Sequence, residues 1–143
     1  MSDTPVVDLR DAIEQMEISY EFLISYAGDG VDRQAAQSPT DQVNDYVTKF
    51  NAALGDGYDA AGRVADAHPE FDTDHYHAFI DELDDEIEEA RTILSLVADQ
   101  DVITSHVADN LNGMSVFQSV MMKFFFLDEL TTHLERETAA DGG

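Results

Sequence analysis

Apolar residues in this chain recur at steps of three and four and nowhere alternate one by one, which restricts the fold to packed helices. Leu9, Ile13, Met16, Tyr20, Leu23 and Ala27 form the first stripe. Thr4 and Pro5 offer a cap and a first-turn proline and Gly28 a stop, so residues 5 to 27 read as one helix. After a polar stretch without period, Ser38-Pro39-Thr40-Asp41 starts a second helix with the stripe Val43, Val47, Phe50, Leu54, Ala61 and Val64. Gly55, Gly57 and Gly62 each cost a helix interior about 1 kcal/mol against alanine, so a break is expected near Gly55 and an end at Pro69. Tyr76, Ile80, Leu83, Ile87, Ala90, Leu94 and Val97 predict a long third helix, capped by Asp72. The last segment restarts near Asp101 and carries Ile103, Val107, Leu111 and Met114. It then passes Gly113, a candidate bend or split, into Phe117, Val120, Phe124, Leu127 and Leu134. The tail from 139 to 143 is expected to be disordered. Four such segments on short connectors predict an all-α, antiparallel four-helix bundle, with residues 1 to 143 as a single domain.

The charge on this frame is extreme: 31 acidic residues face seven basic ones, for a net charge of -24. Self-repulsion on that scale opposes compaction in dilute buffer, whereas molar salt shortens the Debye length to roughly 3 Å and screens it. The acids, mostly Asp, are spread along the whole chain. The composition resembles that of proteins from extreme halophiles, which accumulate salt in the cytoplasm. The resemblance implies a salt-adapted cytoplasmic protein whose acidity is a hydrated background and marks no particular site. With 43% hydrophobic residues the chain still has enough apolar surface to fold.

Several classes of chemistry fall away. The absence of cysteine removes disulfides, thiolate metal sites and thiol nucleophiles. The N-terminus is not a secretory signal, and Met114 to Leu127 is too short and too interrupted to span a bilayer. Five scattered arginines and two lysines make direct nucleic-acid binding unfavourable. There is no glycine-rich phosphate loop, dinucleotide fingerprint or catalytic serine or carboxylate arrangement. No cofactor is expected.

Four local patterns remain. Gly28-Asp29-Gly30-Val31-Asp32 recurs as Gly55-Asp56-Gly57-Tyr58-Asp59, which reads as turn chemistry because neither copy has the distal Glu of a calcium loop. His68, His75 and His77, with Asp72 and Asp74, form a cluster at the junction of the second and third helices and are the candidate metal site, although the Glu-x-x-His of di-iron bundles is missing. Asp81 to Glu89 holds seven carboxylates in nine residues. Its ladder of Asp81, Asp85 and Glu89 turns away from the Leu83 and Ile87 stripe, as a solvated face does; Glu129 and His133 read equally as a surface pair. His106 and Asn110 resemble the phosphoacceptor helix of histidine kinases and phosphotransfer proteins, which would make His106 a phosphoryl carrier. Val107 and Asp109 depart from that pattern.

The strongest unusual feature is Val120 to Leu127, apolar except for Lys123, so that one helix is apolar nearly all round. With Phe117, Val120, Phe124, Leu127 and Leu134 as the core stripe, Met114, Met121 and Phe125 fall on an adjacent face and are the candidate interface. The expected function is a non-enzymatic helical interaction or regulatory module, self-associating as a homodimer or binding a helical partner through its last helix. The alternatives are a metal-binding bundle and a phosphotransfer bundle. From the charge, helical signal and compactness are expected to fall when salt drops from molar to about 0.1 M, and a thermal melt that is the same at both concentrations would refute this.

Overall fold

Each apolar stripe winds into a helix, and each long helix lies against its neighbours in the opposite sense. The computed structural model describes the backbone of residues 4 to 29 and 39 to 142 and the side chains of residues 4 to 26 and 40 to 134. In order these are α1 (Pro5–Asp29), α2 (Pro39–Ala67), a 3-10 turn (Pro69–Phe71), α3 (Asp74–Ala98), the short α4 (Ser105–Asn112) and α5 (Ser115–Gly142). No strand occurs among the described residues. Ser38 and the first copy's Gly30, Val31 and Asp32 lie outside them.

Named contacts set the directions. Late in α1, Phe22 stacks on Tyr46 early in α2 at 3.9 Å, whereas Asp8 early in α1 meets Arg63 late in α2. Across the next seam the Tyr76 hydroxyl donates to the Ala61 carbonyl at 2.6 Å, and Arg91 reaches back to Asn51. In turn α3 meets α5 through Phe79 with Phe126 and Glu86 with Lys123. Between α1 and α5, Arg10 faces Asp128 and the Tyr20 hydroxyl donates to the Asn112 carbonyl just before α5. All four seams are therefore antiparallel. The segment between α3 and α4 crosses the end of the α1/α2 pair, pinned by buried Ile103: its carbonyl accepts from the Tyr26 hydroxyl at 2.6 Å, and its N–H donates to Thr40.

The interior follows the stripes closely. All seven predicted residues of α3 are buried, and Leu9, Met16, Leu23, Val47, Phe50, Leu54, Phe117, Phe124 and Leu127 fill the centre. Burial also raises the Tyr76 phenol to about 12, so it stays a neutral donor to Ala61.

Two local expectations are corrected. First, α2 does not break at Gly55, and the second copy of the repeat, Gly55 to Asp59, is helix and not a turn. The glycines serve close approach instead: a Cβ on Gly57 would stand 2.7 Å from the Met16 methyl and 2.9 Å from the Phe124 ring, and one on Gly55 would stand 2.6 Å from the Arg91 guanidinium. Second, the cap of α3 is Thr73, whose hydroxyl accepts from the Tyr76 N–H, while Asp72 ends the 3-10 turn. Of the two outcomes expected at Gly113, a bend or a split, the structure has the split, with Gly113 closing α4 and α5 starting afresh at Ser115. The tail from 139 to 143 falls beyond the last described side chain, and the backbone of α5 continues as helix to Gly142.

The glycines generate an opposite-sign prediction. Gly62 has open space where a Cβ would go, so Gly62→Ala should stabilise the chain by about 1 kcal/mol. Gly57→Ala should destabilise it by about 1–3 kcal/mol, because the fully buried Phe124 ring has to shift. Denaturant midpoints of the two variants decide this, and shifts of the same sign would contradict it.

Candidate functional site

The outward side of α5, with Met114 just before it, carries four of the eight exposed large hydrophobic residues among the described ones. Its inward side, Phe117, Val120, Met121, Phe124, Leu127, Thr131 and Leu134, is buried. On the outward side Met122 is 66% exposed, Phe126 52%, and Leu130 and Met114 39% each. Phe126 leans on Phe79 of α3 with ring centroids 5.9 Å apart, which widens the patch toward that helix. Toward α1 the surface dips into a groove of about 460 Å³, lined by Glu17, Tyr20 and Glu21 from α1 and by Gln118, Met121, Met122 and Phe125 from α5.

The three expected interface residues lie at different depths. Met114 is outward, but Met121 is only 5% exposed and Phe125 is half-buried against the core. The reason is the closeness of α1 to α5, which draws the Met121 and Phe125 edge of the helix into the seam. The outward face therefore begins about 100° further round, at Met122, and continues through Phe126 and Leu130. Glu17, Tyr20 and Glu21 were not legible as groove residues. Their only signal is that Tyr20, within the first apolar stripe, stands beside two acids one turn apart.

Lys123, the single charge in the apolar run, has a definite task. It donates a salt-bridged hydrogen bond to Glu86 of α3, both side chains being about a quarter exposed. Burial alone would raise the Glu86 pKa, but hydrogen bonds from Lys123 and Ser119, with the lysine's charge, outweigh it and hold the carboxyl below its usual range. The rest of the carboxylate run behaves as expected: Asp81, Asp85 and Glu89 are exposed.

The other candidate sites do not converge. His77 binds Asp72 at 2.7 Å, His68 faces Glu70 at 3.8 Å, and His75 is exposed on the first turn of α3. Among the described residues no group of three or more His, Asp or Glu could hold a metal ion. His106 is exposed on the first turn of the eight-residue α4, and Asn110 donates to its carbonyl at 2.8 Å, serving the helix backbone and not the ring. His133 lies against Phe71, ring centroids 6.3 Å apart. No described helix is long and apolar enough to cross a membrane.

A second cleft, of about 540 Å³, runs between α1 and α2, with small Ala12, Ala52 and Ala53 at its base. Arg63 bridges two of its acids, Asp8 at 3.0 Å and Asp59 at 3.2 Å. Those carboxylates neutralise a cation of the chain itself.

The pairing of His77 is open to titration. The hydrogen bond to Asp72, helped by the charges of Asp72, Asp81 and Asp74, outweighs desolvation and raises the His77 pKa. The attraction is thus complete below the ordinary histidine value of about 6.5 and is lost as pH rises through the raised value. Ring-proton NMR should show the His77 midpoint falling in Asp72→Asn, and an unmoved midpoint would show that the pair does not exist in solution. Compared with family models, curated proteins and solved structures, the chain matches none.

Proposed function

We propose that the protein is a non-enzymatic interaction module, an antiparallel four-helix bundle of α1, α2, α3 and α5 with α4 as an insertion, whose working surface is the outward face of α5. The four antiparallel seams support the bundle. The observation that carries the function is that α5 is apolar on both sides: one side is spent on the core, and Met122, Phe126 and Leu130 remain outside it. At roughly 25 cal/mol per Å² of apolar surface covered, burying these three side chains against a helix would contribute several kcal/mol to association. Methionine and phenylalanine suit such a surface because both offer large, adaptable contact area. Self-association through this face remains one form of the proposal. The metal-binding and phosphotransfer readings have no comparable feature behind them.

A photo-crosslinking amino acid at position 122, incorporated in the cells that make the protein, should give a discrete covalent adduct. The adduct has twice the 15.8 kDa chain mass if the partner is a second copy. The same substitution at Asp85, on the exposed acidic side of α3, should give none. Equal adduct yields from the two positions, or none from position 122, would overturn the assignment of α5 as the working surface.

A further inference from the structure

We infer that the groove between α1 and α5 receives an amphipathic helix with basic flanks. This rests on α5 being the working surface and adds the chemistry of its occupant. The groove has an apolar floor of Tyr20, Met121, Met122 and Phe125 and an acidic wall, where Glu17 and Glu21 stand exposed one turn apart on α1. Among the described residues no Lys or Arg lines it. The nearest cations on these helices are engaged elsewhere, Arg10 with Asp128 and Lys123 with Glu86.

A helix that lays an apolar stripe on such a floor places residues at i and i+4 of its flank opposite the wall. Lys or Arg at those positions would meet Glu17 and Glu21. Thioether side chains at Met121 and Met122 let the floor adjust to stripes of different shape. Charge also decides between occupants. A second copy brings another -24 charges and the same acidic wall, so like charges would face each other across the groove. A basic helix gains from both the wall and the field of the whole molecule.

General attraction of any cationic peptide to so acidic a protein is the effect to separate out. The probe is therefore a synthetic peptide of about five helical turns with leucine on one face and lysine elsewhere. Its controls are a shuffled isomer of the same composition and a version with glutamate in place of lysine. Fluorescence anisotropy should show the leucine–lysine helix binding at least about tenfold more tightly than either control. Met122→Ser and the double variant Glu17→Gln, Glu21→Gln should each weaken it several-fold, with circular dichroism unchanged because all three positions are exposed. Asp81→Asn with Asp85→Asn, which removes the same charge from α3, should leave binding as it was. The inference is overturned if the shuffled peptide binds equally, if the glutamate peptide does, or if the α3 pair weakens binding as much as the α1 pair. A position-122 adduct of doubled mass that the leucine–lysine peptide does not displace would also overturn it while leaving α5 as the working surface. Failure of the crosslink itself would remove both.

Discussion

Scarcity of positive charge governs how this molecule is held together. With so few cations, like-charge repulsion acts between every pair of helices, and apolar burial has to overcome it. Four of the cations lie where they offset it most directly. Arg63 joins α2 to α1, Arg91 joins α3 to α2, Lys123 joins α5 to α3, and Arg10 faces Asp128 between α1 and α5. Among the described residues each of these helix boundaries has at least one, and Lys49 also lines the cleft between α1 and α2. Individually such pairs are modest because they are partly exposed. Their placement matters more than their strength, since each brings a counter-charge to a boundary where acids would otherwise meet.

Close packing depends on the same economy of space. In α2 the glycines that look like weaknesses let two other helices come near. Gly57 admits the tips of Met16 and Phe124, so side chains from α1 and α5 meet at the centre, and Gly55 leaves room for the Arg91 guanidinium on its way to Asn51. A helix-propensity cost on one element is thereby exchanged for packing among three and for a cation at the α2/α3 seam.

Much of this architecture was legible from spacing alone, because a buried stripe at helical period leaves a direct trace in sequence. The α3 stripe is the clearest case, with every expected residue buried. What spacing did not carry was the distance between helices. Gly55 and Gly57 read as breakers because the partners that need the missing side chains come from α3, α1 and α5. Met121 read as outward because only the approach of α1 makes it inward. The cap of α3 moved from Asp72 to Thr73 for a related reason: both residue types cap well, and the preceding 3-10 turn uses Asp72 to close itself. The groove wall was invisible, since two exposed glutamates among 31 acids carry no signal until a floor of Met and Phe is seen beside them.

The placement of the few cations at helix boundaries also makes the chain's tolerance of sequence change lopsided. Most surface positions already face water and acids, so one more carboxylate there changes little. At Arg10, Arg63, Arg91 and Lys123 the same change would replace a counter-charge at a helix boundary with another repelling one. Drift toward still greater acidity is therefore open across most of the surface and costlier at these four points.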